Sequence, residues 1–119
     1  MKVLVVDDEK YIRDIFSEIF EMQKIEYQSV ENGNKALNMI KKDRDYDCVF
    51  LDYSIPDVNG IELGREIKKI DKDIKIYLLT GWSKGKFDQK DLKLMDGFIS
   101  KPFDIETINK IIEEYNGKN

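Results

Sequence analysis

Five polar residues stand at the ends of predicted strands in this 119-residue sequence, and their types suit metal and phosphoryl chemistry. They are Asp7, Asp8, Asp52, Thr80 and Lys101. If these strands are parallel, these side chains gather at the carboxyl edge of one sheet, where ligands bind in open α/β sheets. Three carboxylates close together repel and raise one another's pKa, so they need a cation. Carboxylate oxygens suit a hard divalent ion, and Mg²⁺ fits better than zinc here.

The formal charges of this group balance, because three aspartates oppose Mg²⁺ and Lys101. Such an edge could accept a phosphoryl group, with its oxygens contacting the metal, Lys101 and the Thr80 hydroxyl. A purely structural interpretation exists for the single residues. Asp7 and Asp8 can complement the dipole of a following helix, and Asp52 can begin a turn. The occurrence of all five at one predicted edge favours a functional site.

The composition excludes several classes of site and partner. The sequence contains no histidine, which removes histidine triads, histidine metal ligands and histidine proton shuttles. Its one cysteine, Cys48, lies inside an apolar run, so neither a disulfide nor a cysteine metal cluster is expected. A net charge of -4 with interspersed signs gives no reason to expect nucleic acid. No apolar run approaches the ~20 residues of a membrane span, and no signal peptide precedes the first strand. We therefore expect a cytoplasmic protein without a membrane partner.

The hydrophobic pattern predicts five strands that alternate with five helices. The strands are expected at Lys2–Val6, Ile25–Val30, Cys48–Leu51, Ile74–Leu79 and Gly97–Ser100. The helices are expected at about Glu9–Met22, from the Asn32-Gly33 turn to about Lys42, from Ile61 to Ile70, from Ser83 to Met95, and from Asp104 to about Tyr115. The fourth helix has the weakest pattern, because Gly85 interrupts it. Unbroken apolar strands with short connections indicate a parallel α/β sheet covered by helices on both faces, and the length suits one domain over residues 1–119.

Several motifs occur in a specific order and spacing along the whole chain. They are Val5-Val6-Asp7-Asp8-Glu9, Leu51-Asp52 with Pro56 and Gly60, Leu79-Thr80-Gly81 and Lys101-Pro102-Phe103, with Asn32-Gly33 and Ala36-Leu37 in addition. Together they resemble the receiver domain of bacterial two-component response regulators. The resemblance implies a doubly wound, flavodoxin-like (βα)5 fold with a five-stranded parallel sheet in the order 2-1-3-4-5. Because the chain stops soon after the fifth helix and nothing basic follows, we expect a stand-alone receiver of the chemotaxis or phosphorelay type.

The resemblance assigns the chemistry to Asp52. This residue would accept a phosphoryl group from the phosphohistidine of a sensor histidine kinase or histidine phosphotransfer protein, forming an acyl phosphate. Together with Asp52, Asp8 would bind Mg²⁺ directly, Asp7 mainly through water, and the Ser54 backbone carbonyl would complete the protein ligands. The donor histidine would come from the partner, which agrees with its absence from this chain.

The resemblance also implies a switch. Lys101 would pair with the phosphoryl group, and its peptide bond to Pro102 is expected to be cis. Thr80 would move to hydrogen-bond a phosphoryl oxygen, and Phe98 would turn inward in the active state. Phosphorylation would then shift the population towards an active arrangement that controls a downstream protein target.

Two further groups of residues have predicted roles. One group affects hydrolysis of the phosphoryl group, and the other binds the partner protein. Ser54 and Trp82 lie two residues past Asp52 and Thr80, where side chains of relatives affect hydrolysis of the phosphoryl group. Tyr11, Ile15 and Met22 widen the apolar stripe of the first helix, and we expect them to dock the helical hairpin of a kinase or phosphotransfer partner. The alternative is that these three side chains only border the core.

An enzyme class remains as an alternative function. Mg²⁺-dependent phosphatases with an aspartate nucleophile also place that residue at a strand end, but they carry a second acid two residues later, where this chain has Ser54. A nucleotide-binding switch fits less well, because Gly81 to Lys86 has the wrong spacing for a phosphate loop. We expect the chain to catalyse its own phosphorylation and dephosphorylation rather than turnover of external substrates.

Overall fold

A computed structural model describes residues 1–81 and 87–117 of the chain. Within these residues, five strands alternate with five helices. The strands are β1 (Lys2–Val6), β2 (Glu26–Val30), β3 (Cys48–Asp52), β4 (Lys75–Thr80) and β5 (Gly97–Ser100). The helices are α1 (Lys10–Met22), α2 (Gly33–Lys42), α3 (Gly60–Ile70), α4 (Gln89–Leu94) and α5 (Ile105–Gly117). None of the helices described has both the length and the apolar character needed to cross a bilayer.

The strands form one parallel sheet in the order β2-β1-β3-β4-β5, which confirms the predicted doubly wound fold. All residues of the central strand β3 are buried, as expected of an unbroken apolar run covered on both faces. The edge strand β2 instead alternates between exposed and partly buried residues before Val30. The hydrophobic pattern and the short connections predict the parallel arrangement of the strands, whereas the order of the strands is what the family resemblance implies.

Helices pack on both faces of the sheet, and successive residues of β3 point to opposite sides. On one side the ring of Phe50 packs 5.1 Å from Phe16 and 5.9 Å from Phe20, both on α1. On the other side Leu51 lies in a cluster with Ile40 of α2 and residues of α3. Because β3 is held from both sides, its last residue projects from a rigid base.

The fourth helix differs from its predicted extent. It begins at Gln89 rather than Ser83, and residues 82–86 lie outside the described residues. Phe87 and Asp88 precede the helix, and Asp88 has an extended backbone with φ −66° and ψ 150°. Asp favours such a position before a helix, and no residue of α4 is buried. The helix prediction is therefore wrong for Phe87 and Asp88, and its part over residues 83–86 lies outside the described residues.

Candidate functional site

The predicted site residues meet at the carboxyl edge of the sheet. Asp52 and Thr80 are the last residues of β3 and β4, Asp7 follows β1, and Lys101 follows β5. Among residues 1–81 and 87–117, the buried polar side chains are Asp7, Asp52 and Thr80, with 0%, 4% and 4% of their surface exposed. Burial of polar groups is unfavourable without a compensating partner, so this concentration at one edge indicates a function.

A cleft of about 450 Å³ opens at this edge. It is lined by the predicted residues Asp8, Asp52, Ser54, Thr80 and Lys101, together with Glu9, Tyr53 and Gly81. Asp7 lies buried beside it. The sequence therefore located the cleft, and it did not single out Glu9 and Tyr53, although each directly follows a predicted acid.

Three carboxylates form a compact group in the cleft. Asp7, Asp8 and Asp52 each offer one oxygen, and these oxygens all lie within 4.8 Å of one another. Oxygens on opposite sides of an octahedral Mg²⁺ are about 4.2 Å apart, twice the usual metal–oxygen distance. The donor atoms and their spacing therefore fit a hard divalent cation such as Mg²⁺, with only small adjustments of the side chains.

Lys101 supplies a positive charge to this carboxylate group. Its Nζ donates to Asp52 Oδ2 at 2.9 Å and to Asp7 Oδ2 at 3.4 Å. Burial lowers the pKa of Lys101, but the bonds and charges of Asp52 and Asp7 raise it more, so the net shift is upward. The backbone N–H of Lys101 also donates to Thr80 O at 2.9 Å, and the Lys101–Pro102 peptide bond is cis as predicted.

Burial of the Asp7 carboxylate makes its ionised form unfavourable. Burial raises its pKa to about 6, and the charge of Asp52 adds to this shift. The hydrogen bond from the Glu9 N–H, at 3.0 Å, and the charge of Lys101 act in the opposite direction. Arg13 donates from its guanidinium to Asp7 O at 2.8 Å and so anchors the turn after β1. The sequence did not predict this contact of Arg13, because a bond to a backbone carbonyl has no characteristic residue pattern.

The backbone around Asp52 fixes the orientation of its carboxylate. Asp52 Oδ1 accepts from Ser54 N at 3.2 Å, while Oδ2 faces Lys101. The first residue of α3 packs tightly beneath this point, because a Cβ on Gly60 would lie 2.7 Å from both Asp52 O and Tyr53 Cα. Real Cβ atoms do not approach backbone this closely, so this place requires glycine.

Phe98 belongs to a row of aromatic rings that reaches the cleft. Its ring lies 5.8 Å from Phe87, whose ring lies 5.4 Å from Tyr53, the residue after Asp52. Phe98 is partly buried against the core on the α2 and α3 side of the sheet. These contacts place the predicted switch residue in line with the cleft, and its movement stays a prediction. Trp82 lies outside the described residues.

The predicted docking residues separate into two places. Tyr11 is 71% exposed and, with the partly buried Ile15, lines a groove of about 610 Å³ together with Phe103 and Ile105. Met22 is 84% exposed but does not line this groove. It lies about 16 Å from Tyr11 along the axis of α1. The groove adjoins the cleft through Lys101 and Phe103, which border a smaller pocket shared with Tyr11.

Comparisons with known proteins agree on one family. Residues 3–113 match the model of the response regulator receiver domain. Sporulation initiation phosphotransferase F of Bacillus subtilis is 35% identical over 118 residues, covering 96% of this chain and 92% of that protein. Other relatives are longer, such as the phosphate regulon transcriptional regulatory protein PhoB of Pseudomonas aeruginosa, of which the chain covers 45% at 39% identity.

Solved structures show the same fold. The response regulator TrrA of Thermotoga maritima, in complex with Mg²⁺ and BeF, has a TM-score of 0.84 and 34% identity, with 95% of this chain and 96% of that chain covered. TrrA in complex with the histidine kinase ThkA has a TM-score of 0.82 at the same identity and coverage.

Proposed function

The chain belongs to the response regulator receiver family, and on this premise we propose that Asp52 is the phosphoacceptor of a two-component or phosphorelay signalling system. The observation that carries the assignment is the position of Asp52 at the end of β3, with Lys101 Nζ at 2.9 Å and the Asp7 and Asp8 carboxylates beside it. A carboxylate held in this way is a fixed nucleophile with a counter-charge already in place.

In the proposed reaction, a carboxylate oxygen of Asp52 attacks the phosphorus of a phosphohistidine. The new O–P bond forms as the P–N bond breaks, and the electron pair of that bond returns to the imidazole of the partner. Lys101 lies where it can neutralise charge on the transferred group. Asp52 thereby becomes an acyl phosphate, and its former ion pair with Lys101 is replaced by a contact between Lys101 and the phosphoryl oxygens.

Mg²⁺ is the proposed cofactor of this site, with Asp8, Asp52 and the Ser54 carbonyl as direct protein ligands and Asp7 as a ligand mainly through water. When bound, the ion supplies positive charge against the phosphoryl oxygens. The support is the compact group of three carboxylates and the raised pKa of Asp7, at about 6. The complex of TrrA with Mg²⁺ and BeF gives the same support from a relative.

The signal is proposed to leave the site through β4 and β5. Thr80 lines the cleft, and its carbonyl accepts the Lys101 N–H, so the ends of these two strands are joined. A phosphoryl group that binds Thr80 and Lys101 would favour one arrangement of this unit, and the ring contacts of Phe98 with Phe87 carry the change to the segment before α4. The output is control of a protein target.

The phosphodonor is proposed to dock in the groove between α1 and the start of α5. Its lining combines the apolar side chains of Tyr11, Ile15, Phe103 and Ile105 with the acidic side chains of Glu18, Asp104 and Glu106. An amphipathic helix with basic flanks would suit such a groove. The complex of TrrA with a histidine kinase supports a partner of this class.

Incubation with acetyl phosphate and Mg²⁺ tests the central assignment. We expect one phosphoryl group per chain in the wild type and none in Asp52→Ala. Asp14→Ala is the matched control, because Asp14 is an exposed carboxylate on α1 that pairs with Lys10, and it should label like the wild type. Labelling that survives in Asp52→Ala would overturn the assignment. Repeated turnover of an aryl phosphate would instead support the phosphatase alternative, although Ser54 stands where those enzymes carry their second acid.

A further inference from the structure

We propose that Asp57 is a positioning residue for the metal site, because its carboxylate clamps the loop that carries Ser54 to the start of α2. This inference rests on the proposed function, in which the Ser54 carbonyl is a Mg²⁺ ligand. The loop, residues 53–59, connects β3 with α3 and is called the β3–α3 loop below.

The clamp consists of two hydrogen bonds from the first two residues of α2. Gly33 N donates to Asp57 Oδ1 and Asn34 N donates to Asp57 Oδ2, both at 2.9 Å. Both oxygens of the carboxylate are therefore used, and the bond from Gly33 is the largest cause of the lowered pKa of Asp57. A charged acceptor that binds two helix N–H groups is a strong contact even at an exposed position.

Steric contact holds the loop to the same place. A Cβ on Gly33 would lie 2.5 Å from Val58 Cγ1, so Val58 occupies the space that any larger residue at position 33 would need. Ile55 is buried in the core beneath the loop. The side chains on both sides of the tip are thus packed, and the tip itself is bound to α2 through Asp57.

The base of the β3–α3 loop is equally constrained. Gly60 N donates to Tyr53 O at 2.7 Å, and Ser54 pairs with Asn59 in an isolated antiparallel bridge. Among the backbone hydrogen bonds within the described residues, none uses the Ser54 carbonyl. This carbonyl therefore keeps its acceptor capacity in a loop that is fixed at base and tip.

The position of the loop bears directly on the metal site. The β3–α3 loop and Asp8 together line a groove of about 560 Å³. Mg²⁺ demands nearly ideal octahedral geometry, so a loop that shifts by a few tenths of an ångström costs affinity. Loss of a side chain that orients a metal ligand commonly lowers metal affinity by about tenfold or more.

Asp57 is not needed merely to cap α2. That helix has its own N-cap residue, Asn32, whose side chain accepts from Lys35 N at 2.9 Å. Asn32→Ala is therefore a matched control, because it removes a cap of the same helix and leaves the clamp in place. Gly33→Ala is a second test variant, because it displaces Val58 without removing a charge.

The test is a calorimetric titration of the full chain with Mg²⁺, without a phosphodonor, at a temperature where circular dichroism shows each variant folded. We expect Asp57→Ala and Gly33→Ala to weaken Mg²⁺ binding about tenfold, and Asn32→Ala to leave it within about twofold. In labelling by acetyl phosphate, the Asp57→Ala rate should return to the wild-type rate at saturating Mg²⁺, since only metal binding is impaired.

Two results would overturn the clamp while the proposed function stands. One is wild-type Mg²⁺ affinity in Asp57→Ala, and the other is weakening in Asp57→Ala alone, which would indicate a charge effect. Saturable wild-type binding that Asp8→Asn abolishes shows that the metal site itself exists. If the wild type binds no Mg²⁺, both the proposed metal site and the proposed role of Asp57 are wrong.

Discussion

Lys101 reaches across the end of β4 to place its ammonium nitrogen 2.9 Å from Asp52, at the end of β3. The same nitrogen lies 3.4 Å from Asp7. The lysine is therefore the resident counter-ion of two buried carboxylates, and it is in place before any phosphoryl group arrives. Because these charges lie at the ends of three different strands, their balance affects the stability of the fold.

Replacement of Lys101 by methionine should destabilise the metal-free protein at pH 7. The two carboxylates would lose their cation while remaining buried, and we expect the free energy of unfolding to fall by about 3 kcal/mol, the lower end for a broken buried pair, because the Lys101 side chain is 23% exposed. Saturating Mg²⁺ should recover most of this loss, since the metal supplies the same counter-charge. Urea unfolding with and without Mg²⁺ measures both effects. Lys10→Met removes an exposed lysine of α1 and should change little; an equal loss for Lys101→Met in both conditions would contradict this explanation.

Replacement of Asp7 by asparagine should stabilise the metal-free protein at neutral pH. The pKa of Asp7 rises from its ordinary value of 3.8 to about 6 on folding, so the folded state holds the proton more tightly. Ionisation of Asp7 therefore costs stability progressively as pH rises from about 4 to 6, and the full cost is present above pH 6. We expect Asp7→Asn to gain about 1–3 kcal/mol at pH 7, with the gain vanishing near pH 4. Urea unfolding across this pH range is the measurement, and a pH-independent gain would contradict it.

Mg²⁺ binding should weaken in acid through the same group. Protons compete with the metal for Asp7 once the pH falls below its pKa of about 6. The affinity should then fall by up to about tenfold per pH unit and be nearly constant above pH 7. Calorimetric titrations at several pH values test this. Asp7→Asn should bind Mg²⁺ more weakly with little dependence on pH between 5 and 7, and a wild-type slope in that variant would assign the titration to another group.

Substitutions in the groove should slow phosphoryl transfer from protein donors and leave transfer from small donors such as acetyl phosphate unchanged. Tyr11→Ala and Ile15→Ala are expected to slow transfer from a phosphohistidine protein about tenfold through lost apolar contact, while labelling by acetyl phosphate stays at the wild-type rate. The donor is any phosphorylated histidine phosphotransfer domain that labels the wild type. Met22→Ala should have a smaller effect, because Met22 lies outside the groove. If Ile15→Ala slows neither transfer nor binding, Ile15 only borders the core.

Trp82 should slow loss of the phosphoryl group. A large side chain two residues past Thr80 can shield the acyl phosphate from water, so Trp82→Ala is expected to hydrolyse faster than the wild type, by about threefold or more. Decay of the labelled protein after removal of acetyl phosphate gives the rate. Trp82→Phe retains much of the bulk and should decay at an intermediate rate. A faster wild type would contradict the shielding role.

The sequence predicted the strands and the residues at their ends because both depend on local patterns. A short, unbroken apolar run followed by an acid is visible without any knowledge of the neighbours, as for Cys48 to Asp52. The parallel arrangement then follows from short connections and brings the strand ends together. For these reasons Asp7, Asp8, Asp52, Thr80 and Lys101 could be placed at one edge before the structure was known.

The contacts that support the site were not predictable in the same way. Asp57 binds N–H groups 24 and 23 residues away in sequence, and Arg13 binds a backbone carbonyl, which has no side-chain signature. The beginning of α4 was also missed, because Asp88 and a short apolar stripe do not mark the first turn clearly. The width of the stripe on α1 did not reveal that Tyr11 and Ile15 line a groove and Met22 does not.

The register of the sheet has a consequence for signalling fidelity. Val6 pairs with Leu51, Asp52 with Leu79, and Thr80 with Ser100, so the reactive group exists only when segments scattered over nearly the whole chain are correctly aligned. A nicked, truncated or misaligned chain would keep its aspartate but lose the neighbours that make it reactive. In the proposed function such a molecule would not accept a phosphoryl group, so phosphorylation would report a completely folded chain.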